Sequence, residues 1–229
     1  MSPNRKICAV VPVKDFTQAK QRLAGELSPE ARNRLACTML EDVLAALAAT
    51  PELAAILVVT VDKSAAALAR RYGAEVSTVG ARDGHTGAVG AASRLLASND
   101  RDMMTVPGDI PLVEPSDFSR LIAAHADAPS FTIVPARDAQ GSNAILCSAA
   151  DAVPLRFGED SFYPHLAAAR AQGIEPKVVA LPHIQLDIDT PDDLAVLRTL
   201  RSRSRTHQLL DHWRIDERIL SARFGGRSG

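Results

Sequence analysis

Lys6-Ile7-Cys8-Ala9-Val10-Val11-Pro12-Val13-Lys14-Asp15-Phe16-Thr17-Gln18-Ala19-Lys20-Gln21-Arg22-Leu23 joins a run of valine, isoleucine and small apolar residues to a stretch carrying Lys14, Lys20 and Arg22. A run that is apolar on successive rather than alternate residues predicts a strand over 6–12 buried on both faces, as in a parallel sheet covered by helices. Six further segments read as strands, at 54–60, 74–79, 102–106, 131–135, 143–147 and 176–181. Between them lie segments of helical period. Ser28 as N-cap and Pro29 at the first helical position open a helix whose Leu35, Met39, Leu40, Val43, Leu44 and Leu47 share one face, and which ends before Pro51. Others read at 63–72, 86–98, 115–126, 160–172 and 191–200, the last capped by Thr190 ahead of Pro191. Strand and helix alternate through the first half, and two strands then follow one another more directly. The layout is α/β, a mostly parallel mixed sheet with helices on both faces. Ligands of such sheets sit outside the carboxyl ends of the strands, where the strand order reverses, so polar residues just after strands carry the functional reading.

Composition agrees with a folded domain of this class. The chain has 229 residues, 46% of them hydrophobic and 23% charged, which excludes disordered, collagen-like and heptad-repeat classes. Charge is nearly balanced at −1 but uneven. From Arg198 onward eight arginines face three acids, which leaves the preceding body acidic. An acidic body argues against nucleic acid as a partner. Cys8, Cys37 and Cys147 show neither disulfide nor zinc spacing, and the apolar run at Ile7–Val13 is too short to span a membrane. These features predict a cytoplasmic protein with no membrane contact, a domain over 1–200 and an Arg-rich extension over 201–229. In the extension, Leu209, Leu210, Trp213, Ile215, Ile219 and Leu220 have the pattern of a short amphipathic helix, and the segment either docks on the body or on a partner subunit or is a partly ordered extension.

Five groups of residues carry chemistry. Lys14, Lys20 and Arg22 after the first strand combine mobile point charges with a planar fork, a mixture suited to clamping phosphates. No Gly-x-x-x-x-Gly-Lys-Ser/Thr run exists, so this is no P-loop. After the fourth strand, Pro107-Gly108-Asp109-Ile110-Pro111 holds a carboxylate in a rigid turn, a candidate magnesium ligand. In Leu186-Asp187-Ile188-Asp189-Thr190-Pro191-Asp192-Asp193-Leu194, extended backbone sends Asp187 and Asp189 the same way, within reach of one cation, while Asp192 and Asp193 suit the first turn of a helix. Gln140-Gly141-Ser142-Asn143 and Arg156-Phe157-Gly158-Glu159-Asp160-Ser161 offer hydroxyls and open amides, a cradle for phosphate or carboxylate. Asp83-Gly84-His85-Thr86-Gly87-Ala88 is a strand-to-helix turn whose small residues can face a base or ribose. Asp62 reads as a helix cap, and His125, His183, His207 and His212 lack ligand spacing.

Taken in order, Pro12-Val13-Lys14 with Ala19-Lys20-Gln21-Arg22-Leu23, Gly108-Asp109-Ile110-Pro111, Gly141-Ser142-Asn143-Ala144, Phe157-Gly158 with Ser161-Phe162 and His165, and Leu186 to Leu194 resemble one family. It is the 2-phospho-L-lactate guanylyltransferase family of deazaflavin coenzyme F-420 biosynthesis, which includes phosphoenolpyruvate and 3-phosphoglycerate guanylyltransferases. The resemblance runs from about Cys8 to Leu200. It implies a single-domain Rossmann-like nucleotidyltransferase fold of the GT-A type and transfer of GMP from GTP to a phosphorylated three-carbon acid. By it, Asp109, Asp187 and Asp189 fall on positions that hold magnesium, Lys14 on the first phosphate-binding lysine, and Ser142, Gly158 and Ser161 on positions that hold the phospho-acid. Ser142 stands where many relatives carry threonine, keeping the hydroxyl and losing a methyl. Gly84, His85, Thr86 and Gly87 stand where the family commonly reads Gly-Leu-Asn, in a region expected to approach the nucleoside.

The implied chemistry is phosphoryl transfer by a nucleophile that is already anionic, so positioning and charge neutralisation matter more than a general base. Lys14, Lys20 and Arg22 are expected to neutralise the leaving pyrophosphate, Asp109 to act with Lys14 at the reacting centre, and no histidine is required. The implied partners are GTP, the acid and a downstream deazaflavin transferase, with a homodimer compatible. Two rivals remain open from the residues alone: another GT-A-like enzyme acting on a nucleotide sugar or on the molybdenum cofactor, and a non-catalytic nucleotide-binding protein.

Overall fold

Alternate residues of the first strand go to opposite layers. In β1 (Ile7–Pro12), Ile7, Ala9 and Val11 enter one apolar core while Cys8 and Val10 enter another. The first core is closed by α1 (Pro29–Ala48), α2 (Lys63–Arg71) and α4 (Pro115–Ala124), through residues such as Leu44, Leu68 and Phe118. The second is closed by α3 (Gly84–Ala97) through Val89 and Leu96. Further along the sheet α5 (Phe162–Ala171) covers the same face as α3, setting Phe162 and Leu166 against Ile133 and Ile145. Residues buried on both sides of a strand are what a continuous apolar run demands. The computed structural model describes residues 6–158 and 160–213.

The sheet has seven strands in the order β3-β2-β1-β4-β6-β5-β7, with β2 (Leu53–Val59), β3 (Glu75–Ser77), β4 (Asp102–Thr105), β5 (Ser130–Pro135), β6 (Ser142–Ser148) and β7 (Lys177–Val178). β1 pairs in parallel with β2 on one side and β4 on the other, so the order reverses there. β6 runs antiparallel to both β4 and β5, with Thr105 opposite Ile145. The start of β6 therefore lies at the same edge of the sheet as the ends of β1 and β4. All seven expected strands are present. β3 and β7 are shorter than the ranges 74–79 and 176–181 because each is an edge strand, paired on one side only.

Helix starts follow the capping chemistry. Ser28 Oγ accepts from Ala31 N, Asp62 Oδ1 from Ala65 N, and Thr190 with Asp193 forms a reciprocal capping box at α7 (Pro191–Thr199). Two short 3-10 turns, Phe16–Gln18 and Gln21–Leu23, and the one-turn α6 (Pro182–Gln185) add to the expected elements. The extension contributes α8 (Arg205–His212), which docks on the chain's own body. Asp42 of α1 accepts hydrogen bonds from Arg205 N (2.9 Å), Thr206 N (2.9 Å) and Thr206 Oγ1 (2.7 Å), and Leu210 packs with Leu35, Met39 and Leu197. Trp213 borders this cluster, while Ile215, Ile219 and Leu220 lie outside the described residues. Among the described residues no helix is long and apolar enough to cross a membrane. The three cysteines are free, and burial pushes the Cys8 and Cys147 thiols up to about 11, which keeps them protonated at neutral pH.

Candidate active site

The chain leaving β1 is turned back by two carboxylates. Asp15 Oδ1 accepts from Thr17 N (2.8 Å), and Asp62 Oδ2 from Phe16 N (3.0 Å), which buries the Phe16 ring and folds the loop over the sheet edge. Lys20 adopts the left-handed conformation at φ 53°, and its side chain passes inward until only 7% of it is exposed. Its ammonium donates to Asp109 Oδ2 at 2.5 Å and to Asp189 Oδ1 at 2.7 Å. Asp109 follows β4, and its carbonyl accepts from Ile188 N (3.0 Å), which ties the segment bearing Asp187 and Asp189 to the end of the fourth strand. Asn143, the second residue of β6, donates one amide to both Ile184 O (2.9 Å) and Asp187 Oδ1 (3.0 Å). Three carboxylates from two distant segments are thus oriented by backbone and side-chain bonds.

Their electrostatics differ. Burial and the charges of Asp109 and Asp189 push the Asp187 carboxyl up to about 6, partly offset by its bond from Asn143. Burial also acts to raise Asp189, but Lys20, with Arg22 and Lys14, holds it below the usual carboxylate range. Burial opposes the charge on Lys20, and the two carboxylates overcome it, so its pKa is raised. Among the described residues, no three acidic, histidine or cysteine side chains are drawn together, as they stand, into a group able to hold a metal. The donor set nonetheless suits a hard cation. Asp109 Oδ1 is buried without a hydrogen-bond partner, and Asp187 carries a charge that its neighbours repel. Lys20 supplies the positive charge between the other two. Among the described residues, Asp109 Oδ1 and the Asp187 carboxyl are left without a cation, and hard oxygen donors of this kind are what magnesium takes.

One cleft of about 880 Å³ opens beside this cluster. Lys14, Lys20, Arg22, His85, Asp109, Ser142, Gly158, Ser161, Asp187 and Asp189 all line it, so ten of the residues singled out in the sequence meet on one surface. The cations of the β1 loop form one wall. The opposite wall is the start of β6 and the loop leading to α5, where Phe162 N donates to Gln140 O (2.8 Å) and fixes Ser161 beside Ser142. The ring of His85 packs on Phe157 at 4.2 Å between centroids, and Phe157 meets His165 edge-on at 5.0 Å. Burial, with Lys14 and then His165 nearby, holds His85 down at about 4, so it faces the cleft as a neutral ring.

Gly84, Thr86 and Gly87 are placed differently. None of them lines the large cleft. Thr86 Oγ1 accepts from Phe157 N (2.9 Å) and donates to Phe157 O (3.2 Å), and so holds the loop that carries Gly158. A Cβ on Gly87 would stand 2.3 Å from the Asp83 Cβ, so this glycine serves the close turn into α3. Thr86 and Gly87 border a separate pocket of about 490 Å³, together with Gly90 and Arg94. Sequence reasoning gave no role to Asn143 or to His165, which bonds Ser142 and Arg156 N. Their one visible signal was their place inside the Gly141–Ala144 and Ser161–His165 motifs.

Comparison with known proteins places the chain in a family. The chain is 38% identical over 189 residues to a phosphoenolpyruvate guanylyltransferase of Roseiflexus castenholzii, covering 82% of this chain and 86% of that one. It is 35% identical to a 3-phospho-D-glycerate guanylyltransferase of Colwellia psychrerythraea, over 84% and 91% of the two chains. It is also 35% identical to a 2-phospho-L-lactate guanylyltransferase of Methanothermobacter thermautotrophicus, over 82% of each. Among solved structures, a Desulfovibrio desulfuricans protein provisionally named a nucleotide-diphospho-sugar transferase superposes with a TM-score of 0.68 at 20% identity, over 96% and 99% of the two chains, a likeness of fold alone. The family model described as guanylyl transferase CofC like matches residues 7–221, and with relatives at this level of identity the chain belongs to that family of nucleotidyltransferases.

Proposed function

We propose that the chain transfers GMP from GTP to the phosphate of a phosphorylated three-carbon acid, phosphoenolpyruvate, 2-phospho-L-lactate or 3-phospho-D-glycerate, in the assembly of deazaflavin coenzyme F-420. The observation that carries this is the meeting of two unlike walls in one cleft: cations after β1, and hydroxyls with an open glycine between β6 and α5. The relatives named for three different acids support the acceptor class.

An oxygen of the acceptor's phosphate forms the new bond to the α-phosphorus of GTP while the bond to pyrophosphate breaks. That oxygen is anionic at neutral pH, so no side chain has to remove a proton from it. Lys14 and Arg22 hold the triphosphate and take up charge on the leaving group. His85 stays neutral and shapes the nucleoside side of the cleft. Ser142, Ser161 and the amide of Gly158 hold the acid. Asp109, Asp187 and Asp189 would hold magnesium, which when bound supplies charge neutralisation to the reacting phosphates. The product passes to a downstream deazaflavin transferase.

The test is incubation with GTP, magnesium and each acid in turn, reading pyrophosphate release and the mass of the nucleotide product. Acid-dependent release with the matching mass is expected, and Asp109→Ala abolishes it. Release with no acid, or full turnover by Asp109→Ala at saturating magnesium, would overturn the proposal.

A further inference from the structure

His165 is 1% exposed, in the first turns of α5, and both of its ring nitrogens are engaged. Arg156 N lies 3.0 Å from Nε2. A backbone N–H can only donate, so Nε2 carries the lone pair and the ring proton resides on Nδ1. Nδ1 lies 2.9 Å from Ser142 Oγ, and in this tautomer it donates to that oxygen. The Ser161 hydroxyl donates to the same oxygen at 3.4 Å. With its lone pairs occupied from the protein side, the Ser142 hydroxyl has one direction left for its own proton, which is the cleft it lines.

We infer that His165 is a positioning residue that presets Ser142 as a hydrogen-bond donor, so that this point of the acceptor wall favours an acceptor oxygen, a deprotonated phosphate or carboxylate above all, over a group that can only donate. The inference rests on the acceptor wall of the guanylyltransferase reading and names the chemistry that wall selects. It also gives the ring a second duty. Through Arg156 N it holds the strand of loop that Thr86 grips one residue later at Phe157, so Gly158 reaches the cleft from a segment pinned on two sides. Burial holds the ring down at about 4, so the neutral tautomer persists at working pH. A donor fixed before the ligand arrives loses little freedom on binding, which is how preorganisation raises affinity.

Two variants separate the ring's two bonds. In His165→Gln the amide oxygen can reach the Nε2 position and accept from Arg156 N, while the donor to Ser142 is lost. In His165→Asn the amide nitrogen can reach the Nδ1 position and keep that donor. His165→Gln is expected to raise KM for the acid by about tenfold or more, the loss of one hydrogen bond to a charged group, with kcat and KM for GTP nearly unchanged. His165→Asn, which keeps the donor to Ser142 but gives up the bond from Arg156 N, is expected to raise KM for the acid less than His165→Gln does. Adding His165→Gln to Ser142→Ala is expected to cost nothing further, since the histidine acts through the serine. Unchanged acid KM in His165→Gln, equal losses for both substrates, or full additivity with Ser142→Ala would overturn the inference. If the variants do not fold, nitrogen-15 NMR of the wild-type ring decides: an Nδ1–H tautomer supports the assignment and an Nε2–H tautomer overturns it. A wild-type chain that releases no pyrophosphate with any of the three acids would overturn the guanylyltransferase reading itself, and the acid selectivity with it.

Discussion

Replacing Lys20 by methionine keeps the length of the side chain and removes the charge that joins Asp109 to Asp189. The size of the loss follows from how wet the three groups are. The lysine side chain is 7% exposed, but those of Asp109 and Asp189 are 25% and 45% exposed. Breaking a fully buried pair costs about 3–5 kcal/mol, and an exposed pair is worth about 0–1 kcal/mol. A half-wet cluster falls between them, at about 2 kcal/mol, which for a domain of this size lowers the melting temperature by about 4–8 °C. The deficit has a defined pH window. Lys20 holds Asp189 below its ordinary value of 3.8, so the pair's contribution is present above that value and fades as pH falls through the lowered one. The carboxylates raise Lys20 above its ordinary value of 10.5, so the contribution is full below that and is lost only as pH rises through the raised one. Thermal unfolding of both chains between pH 3 and pH 9 should therefore show a constant gap that narrows at the acid end. Magnesium should raise the melting temperature of Lys20→Met more than that of the wild type, because the cation no longer competes with an ammonium. Equal melting temperatures at pH 7, or a gap that widens in acid, would refute the electrostatic account of this cluster.

Other perturbations address separate links. Asp187→Asn removes a carboxyl pushed from 3.8 up to about 6. The folded wild type holds that proton more tightly than the unfolded chain, so its stability declines as pH rises through the interval. The variant should then be more stable than the wild type at pH 8, by at most about 3 kcal/mol, with the gap closing toward pH 4, and it should lose turnover. Asp42→Ala strips the acceptor from the start of α8 and should lower urea stability by about 1–2 kcal/mol while both KM values stay unchanged, since α8 does not line the cleft. Thr86→Val leaves Phe157 N without its acceptor and should raise KM for the acid more than KM for GTP. The opposite split would return Thr86 to the nucleotide.

The strands and the meeting of the candidate residues on one cleft were legible for different reasons. Val10, Val11, Val58 and Val59 stand in unbroken apolar runs, and burial on both faces admits no other strand environment. Asp109 stands just beyond β4 and Ser142 at the start of β6, where the fold places its ligand edge. What could not be read was partnership across long stretches of chain. Nothing local shows that Lys20 turns inward to Asp109 and Asp189 rather than outward with Lys14, because the choice depends on a left-handed residue and on carboxylates 89 and 169 positions away. Thr86 was expected at the nucleoside because it opens a helix after a strand; its hydroxyl is taken by Phe157, 71 positions on. The short helix read in the extension is present, but Asp42, the residue that receives it, shows no sign in the sequence of that duty.

The reversed direction of β6 bears on how such an enzyme can change its substrate over time. Parallel strands β1 and β4 deliver Lys14 and Asp109 from their far ends, through loops whose Phe16, Ile110 and Val113 are buried in the main core. Ser142 and Asn143 arrive instead from the near side of a hairpin whose turn is closed by the bond from Ala136 N to Gly141 O. Insertions and exchanges in a surface hairpin turn disturb little else, whereas the loops after β1 and β4 are tied into the core. On the proposed assignment of the two walls, the acceptor wall is free to drift under selection while the phosphate-handling wall stays put, so one inherited nucleotide engine can be retuned from one small phospho-acid to another by a handful of substitutions.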